Sequence, residues 1–189
     1  MRKAQFLVAL FVSFIFLSSV AYAQEEAAQS APKFEQPILI SSAGQSADVK
    51  LVGMLAKKQK LDAKVVNMAK VGDLAGAKSL IIVPGFSSKG LGAAGVSQTE
   101  EMERVKALVD EAKKLNIPIV VVHIGGNARR KGNSDGFNKL AAESSKHMIV
   151  VAQGDEDKFF SNISIEKKID LELVPKIAKA AKPLGKLFK

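Results

Sequence analysis

The sequence has 189 residues, no cysteine and a formal net charge of +9. This length fits one domain plus a targeting segment. Without cysteine there is no disulfide, no thiol nucleophile and no cysteine for lipid attachment. The positive charge leaves three classes of partner open: nucleic acid, an anionic membrane surface or an acidic small molecule.

The N-terminus has the pattern of a secretory signal. Arg2 and Lys3 precede an apolar run over residues 6–17, and Ala21–Ala23 is a small-residue cleavage site. This predicts a signal peptide over residues 1–23, an exported protein that is periplasmic or extracellular, and no stable membrane span after cleavage. The alternative is an uncleaved anchor. Residues 24–35 are predicted to be a linker and residues 36–189 a single domain.

The aromatic residues argue against nucleic acid as the partner. After residue 23 the chain has six phenylalanines, no tyrosine and no tryptophan. Binding to single-stranded nucleic acid usually needs stacking platforms as well as charge. We therefore expect no specific nucleic-acid binding and a solvated, lysine-rich surface.

The first predicted strand covers residues 37–41, and Ser42–Ser46 turns the chain. Ser46 is predicted to cap a helix that ends in the lysines of residues 57–60, and a second strand follows at residues 63–68.

The central segment begins with an apolar strand at residues 80–83, ended by Pro84 and Gly85. We expect a glycine-rich loop up to Ser97. The capping box formed by Ser97 and Glu100 then opens a helix over residues 98–115, with Glu100 and Arg104 as an i,i+4 ion pair.

The C-terminal part continues the alternation. A strand at residues 117–122 is closed by His123, a second glycine-rich loop leads to a helix that starts at Ser134 or Asp135, and a fifth strand covers residues 147–152. Phe159 and Phe160 predict core contacts of a short helix. Apolar residues over 174–187 have helical spacing, broken near Pro183; this basic amphipathic tail predicts either packing against the sheet or contact with a membrane.

These elements predict a single-domain α/β protein with a mainly parallel five-stranded sheet. Apolar strands that alternate with helices are typical of a sheet covered on both faces. The flavodoxin-like (Rossmann-like) order 2-1-3-4-5 in a three-layer sandwich fits best.

Ligands of such folds bind beyond the carboxyl ends of the strands. That edge receives three loops, residues 42–46, 85–97 and 123–134, with glycines and basic side chains suited to an anion. The alternative is an internal ion network, in which Asp48 and Asp135 neutralise the cations. The candidate ligand-binding residues are Ser42, Gln45, Ser46, Ser87, Ser88, Lys89, Gly90, Gly92, Gly125, Gly126, Arg129 and Arg130.

Several motifs are incomplete. Residues 90–95 satisfy the dinucleotide pattern G-x-G-x-x-G, but the first glycine lies six residues after Pro84 and no acidic residue ends the next strand. The Gly-Lys-Ser/Thr ending of a phosphate-binding P-loop is absent as well. His123 and His147 are expected at opposite ends of different strands, with no cysteine to assist. We therefore predict neither a cofactor nor a metal.

Three segments carry a resemblance to known proteins. Residues 42–48, residues 85–95 and residues 123–130 with Ser134 and Asp135 are similar to a family of secreted bacterial proteins classed only as a domain of unknown function. This likeness covers residues 36–189, supports the interpretation as a secreted α/β protein and implies no activity. Residues 81–85 and 119–126 more faintly resemble the class I glutamine amidotransferase-like fold. Its nucleophilic cysteine has no counterpart here, so that likeness concerns the fold only.

Two functional hypotheses follow. The first is an exported binding module that holds a small anionic ligand or presents its glycine-rich loops to a partner protein. The second is a cysteine-free hydrolase or transferase with His123 as base and Ser87 or Ser88 as nucleophile, oriented by Asp48 or Asp135. A serine hydroxyl within hydrogen-bond reach of His123 would favour the enzyme.

Overall fold

The computed structural model of the chain describes residues 33–189. The predicted signal peptide and the predicted linker up to residue 32 lie outside these residues. The strands are β1 Ile38–Ala43, β2 Ala63–Val65, β3 Ser79–Pro84, β4 Ile119–His123, β5 His147–Val151 and β6 Asp170–Val174. The helices are α1 Asp48–Lys58, α2 Ser88–Ala94, α3 Gln98–Lys114, α4 Asn133–Ser144, α5 Phe159–Lys167 and α6 Ala181–Leu187.

The six strands form one sheet in the order β2-β1-β3-β4-β5-β6, and every pair is parallel. The predicted α/β class and the flavodoxin-like order of the first five strands are confirmed. The sheet has one strand more than predicted.

The additional strand, β6, lies just before the predicted helical tail and overlaps it only at Val174. Leu171 and Leu173 alternate with Asp170 and Glu172, and this period of two suits a strand. In the structure Leu173 is exposed and Val174 is buried. The strand pairs with β5 over its whole length. The tail becomes helical only after residue 176, and Pro183 lies in the first turn of α6, where its missing N–H leaves no intrahelical bond unmade.

Helices cover the sheet on both faces, as the three-layer prediction requires. On one face α1 and α6 bury Val49, Val52 and Leu184 against the strands. On the other face α3, α4 and α5 bury Leu108, Phe137 and Phe160. The carboxyl ends of all strands therefore lie at one edge, and the chain leaves β1 and β3 towards opposite faces there, which makes this the topological switch point.

Candidate functional site

The loops after β1 and β3 are joined by backbone hydrogen bonds at the carboxyl edge. The strands pair up to Ala43 and Pro84. Beyond them, the Gly85 N–H donates to the Ala43 carbonyl over 2.8 Å, and the Ser87 N–H donates to the Gly44 carbonyl over 2.8 Å. Two of the three predicted loops are thus held together by backbone hydrogen bonds that continue the pairing of β1 and β3.

The segment after β3 is not a loop throughout. Residues 88–94 form α2, which corrects the predicted glycine-rich loop. The Ser87 hydroxyl caps this helix by accepting from the Gly90 N–H (3.1 Å), and Gly95 ends it in the left-handed region at φ 67°. Ser87 and Gly95 are the local signals for this helix, which the high glycine content obscures.

Gly90 allows α2 to pack directly on the loop after β1. A Cβ atom at this position would lie 2.0 Å from the backbone oxygen of Gln45. Gly92, on the same helix, is exposed and has no neighbour within 4 Å of such an atom. The two predicted ligand-binding glycines therefore differ, since only Gly90 is required for packing.

A cavity of about 560 Å³ opens between the β1 loop, the residues after β2 and α2. Five of the predicted ligand-binding residues line it: Gln45, Ser46, Ser87, Lys89 and Gly90. Lys50, Asn67 and Met68 are lining residues that the sequence did not indicate. They approach only because β2 and α1 lie beside β1.

Gln45 is the most constrained of the lining residues. Its backbone is left-handed at φ 61°, and the residue is only 3% exposed. The Oε1 atom accepts a hydrogen bond from Asn67 Nδ2 over 2.7 Å, whereas Nε2 has no partner among the described residues. One buried amide donor therefore remains unused beside the cavity.

A buried ion pair between Glu101 and Arg104 makes hydrogen bonds to the β1 loop. Glu101 accepts from Arg104 Nε over 2.7 Å and from the Gly44 N–H over 2.9 Å. Arg104 also donates to the carbonyls of Ser42 and Ala69. The predicted pair of Glu100 with Arg104 is wrong, because Glu100 completes the capping box with Ser97 and Glu101 is the residue that faces the arginine.

Arg129 lies under the loop after β3. It donates to the Phe86 carbonyl over 2.9 Å, and its Nε is 3.7 Å from the carboxylate of Asp48. Gly125 makes room for it, because a Cβ there would lie 2.1 Å from Arg129 Cγ. This arginine links the β1, β3 and β4 loops, with the acidic neighbour that the ion-network alternative predicted.

Arg130 is the centre of a second ion network. Its side chain is 3% exposed and bonds to Asp135 at 2.8 Å, to Asp157 at 2.9 Å and to the Gly154 carbonyl. The ring of Phe159 stacks on its guanidinium at 4.2 Å. Hydrogen bonds from Arg130 lower the pKa of Asp157; burial acts to raise the pKa of Asp135, but the bonds it accepts from Arg130 and others hold it below its usual value.

These contacts separate the three cations that the sequence places near one edge. Lys89 lines the cavity of about 560 Å³, whereas Arg129 and Arg130 do not line it. Both arginines are held by the carboxylates that the ion-network alternative named, Asp48 and Asp135.

His123 ends β4 in a fully buried position. Its Nε2 lies 3.2 Å from the Arg129 carbonyl, and its Nδ1 has no partner among the described residues. Burial lowers the pKa of His123 below its usual value, so the ring is neutral near pH 7. The Nε2 contact leads to a backbone oxygen, and the Ser87 hydroxyl bonds to Gly90, so residues 33–189 contain no hydrogen bond between His123 and Ser87.

The remaining predicted residues have distinct environments. Ser42 is buried, and its carbonyl accepts a hydrogen bond from Arg104. Ser88 is exposed in the first turn of α2, and Gly126 is buried with its backbone at φ 54°.

Within residues 33–189 no group of three or more His, Asp or Glu side chains is placed to hold a metal ion. Over the same residues, no helix has the length and apolar character that a membrane crossing needs.

The fold and the loop cluster define a doubly wound parallel α/β domain with a cavity at its switch point. The chain belongs to the family described as Domain of unknown function (DUF6305), whose model matches residues 35–188. This confirms the predicted resemblance to a family classed as a domain of unknown function. A comparison with curated proteins gave no match.

Solved structures match the chain at low identity. A protein from Desulfitobacterium hafniense DCB-2, described as lipolytic and of the G-D-S-L family, shares 13% identity over 73% of this chain and 77% of its own, with a TM-score of 0.34. A GDSL-like lipase from Bacteroides thetaiotaomicron VPI-5482 shares 11% over 81% and 76%, with a TM-score of 0.35. The esterase EstA from Pseudoalteromonas sp. shares 15% over 79% and 91%, with a TM-score of 0.29.

TM-scores this low support no statement about the activity of this chain. None of these three proteins is described as a glutamine amidotransferase, so the fainter resemblance to that fold stays a prediction.

Proposed function

We propose that this protein is an exported α/β domain that binds a small anionic ligand in the cavity between the β1 loop and α2. The observation that carries the proposal is the set of residues that line this cavity. It contains two lysines, Lys50 and Lys89, and no carboxylate. Neither lysine has a salt-bridge partner within residues 33–189.

Two other hollows make the contrast clear. A larger one, of about 710 Å³, lies at the opposite edge of the sheet, where Glu35 stands among its lysines. A smaller one, of about 300 Å³, contains Arg130 and Lys131 together with Glu156 and Asp157. Both have carboxylates of their own that compensate the cations. A hollow of about 250 Å³ that is lined by Lys113 and Lys146 also lacks a carboxylate, but it is below the usual size of a ligand pocket. We therefore favour the carboxyl-edge cavity, although it is not the largest.

The size and the polar groups of the cavity fit a small molecule. Ligand pockets usually measure about 300–1,000 Å³. Among the lining residues, Ser46 and Ser87 have hydroxyl groups, Gln45 and Asn67 have amides, and Lys50 and Lys89 have ammonium groups. Ammonium groups and neutral hydrogen-bond donors around one space suit a phosphate or carboxylate group.

A thermal-shift experiment tests the binding proposal. Inorganic phosphate, pyrophosphate and succinate serve as probes. At a ligand concentration about 100-fold above Kd, binding stabilises the folded state by about 2.7 kcal/mol, or about 5–10 °C for a domain of this size. The K50A/K89A variant should lose this shift and keep the melting temperature of the free protein.

The matched control is K106A/K113A, which removes two exposed lysines of α3 on the other face. It should respond to the probes as the wild type does. If none of the probes stabilises the wild type, or if both variants respond equally, this cavity is not an anion site.

The hydrolase or transferase alternative stays a prediction. It needs a nucleophile and a base in contact, and the contacts of His123 lead instead to the Arg129 carbonyl. Hydrolysis of a short-chain ester at a rate that S87A or S88A abolishes would favour the enzyme over the binding module.

Export is the part of the proposal that rests on the sequence alone. The intact mass of the protein recovered from the extracytoplasmic fraction should correspond to a chain that starts at Gln24. A mass that includes residues 1–23, together with tight membrane association, would contradict export by a cleaved signal.

A further inference from the structure

The excess positive charge of the domain is concentrated in one helical layer. Residues 33–189 contain 26 basic and 17 acidic side chains. Residues 48–60 and 175–189, which include α1 and α6, hold nine lysines and one acidic residue, Asp48. The rest of residues 33–189 has a net charge close to zero, with 17 basic and 16 acidic side chains. The charge is thus a property of one face of the domain.

The helices on the opposite face have a different balance. α3, α4 and α5 together carry eight acidic and six basic side chains. Several of them are paired, as in Glu101 with Arg104 and Lys139 with Glu143. A general requirement for solubility would not confine the excess lysines to one side of the sheet.

Packing brings the lysines of α1 and α6 together. The two helices are in contact, and a Cβ atom at Gly185 would lie 2.4 Å from Gln59 Oε1. The lysines near Gln59 and Gly185 in the chain are exposed, and they have no salt-bridge partner within the described residues. We call this surface the lysine face; it consists of Lys57, Lys58, Lys60, Lys179, Lys182 and Lys186.

The apolar side of the C-terminal helix is not available for insertion into a membrane. Leu184 and Leu187 are buried against the sheet, at 0% and 5% exposure. The lysine face therefore acts through charge. Met54 and Ile177, which lie in the same two segments, are large apolar side chains that are 59% and 40% exposed. Such a surface fits a flat anionic partner with a shallow apolar layer.

We propose that the lysine face is a docking surface for an anionic phospholipid bilayer. Six ammonium groups on flexible stems suit a plane of phosphate headgroups, where each lysine adds to the affinity roughly equally. Nucleic acid is the less suitable polyanion, since residues 48–60 and 175–189 contain no arginine, and Phe188, the aromatic residue there, is buried. This surface is separate from the proposed ligand cavity and does not depend on it.

The test is sedimentation of the protein with phospholipid vesicles. The wild type should bind vesicles that contain phosphatidylglycerol in low salt, bind vesicles of phosphatidylcholine alone weakly, and dissociate as salt is raised. Any contribution from residues 1–32 is common to all variants.

Two triple variants separate the location of the charge from its amount. K57Q/K58Q/K182Q removes three charges from the lysine face and should weaken binding by at least about tenfold. K106Q/K113Q/K139Q removes three exposed charges from α3 and α4 and should change binding less than about twofold. K57R/K58R/K182R, which keeps the charge, should bind as the wild type does, and urea unfolding verifies that each variant is folded.

Equal losses in the two glutamine variants would overturn the proposal, because binding would then follow net charge alone. So would the absence of binding to phosphatidylglycerol, or tight binding to single-stranded DNA that the lysine-face variant loses while vesicle binding is unchanged.

Discussion

Replacing Gly90 by alanine is expected to destabilise the domain, against the usual effect of this exchange in a helix. Alanine in place of glycine inside a helix stabilises by about 0.5–1 kcal/mol, because the unfolded chain loses conformational freedom. At Gly90, however, the new Cβ would lie 2.0 Å from the Gln45 backbone oxygen and 3.0 Å from its carbonyl carbon. A backbone carbonyl cannot move aside as a flexible side chain can, so α2 or the β1 loop must shift.

The magnitude follows from these opposing effects. Overpacking in a well-packed site costs about 1–3 kcal/mol, and an approach of 2.0 Å to a backbone oxygen belongs to the upper part of this range, about 2–3 kcal/mol. Subtracting the gain in helix propensity of about 0.5–1 kcal/mol leaves a net loss of about 1–2.5 kcal/mol. Gly92 lies on the same helix with no neighbour within 4 Å, so Gly92→Ala should stabilise by about 0.5–1 kcal/mol. The same substitution two residues apart is thus predicted to have opposite signs.

Urea unfolding of the two variants beside the wild type measures both effects, with the slope of the transition as a check that the unfolded states are alike. A Gly90→Ala variant at least as stable as the wild type would refute the packing of α2 on the β1 loop. Because that packing forms one wall of the proposed cavity, the variant should also show a smaller anion-dependent thermal shift.

Two further predictions concern buried ionisable groups. Arg104→Met leaves Glu101 buried without its counter-charge and should cost about 3–5 kcal/mol by urea unfolding, whereas E101M/R104M should cost much less; a single variant no worse than the double one would contradict the role of this pair. Burial lowers the pKa of His123, so the unfolded chain binds more protons than the folded one below about pH 6.5, the ordinary pKa of histidine. The free energy of unfolding should therefore reach its full value above that pH and fall as the pH is lowered to about 5. His123→Leu should weaken this pH dependence. Equal slopes for the variant and the wild type would rule out this role of His123. The pKa of His147 is lowered as well, chiefly by burial, so a residual slope from that side chain is expected.

The basic residues that the sequence placed at the carboxyl edge differ in whether they have a partner within the fold. Arg129 and Arg130 hold neighbouring segments together through carboxylates and carbonyls. Lys89, with Lys50 beside the same cavity, has no such partner among the described residues. Carboxylates within the fold therefore compensate the two arginines, whereas the proposed anion site depends on lysines that have no such partner.

The sequence by itself determined the alternation of strands and helices, the order of the first five strands and the edge at which the loops meet. These features depend on local signals, such as the unbroken apolar run of β3 or the capping box of Ser97 and Glu100, which act over a few neighbouring residues. The acidic neighbours Asp48 and Asp135 were also predictable, because the topology brings their loops to the same edge.

Only the tertiary structure decided which cation meets which partner. Glu101 rather than Glu100 faces Arg104 because the β1 loop approaches one side of α3, and this approach is not encoded within α3 itself. Lys50 and Asn67 line the cavity because α1 and β2 both lie beside β1, where α2 also packs. Likewise the lysines of α1 and α6 are more than a hundred residues apart, and they share one face because both helices pack on the same side of the sheet.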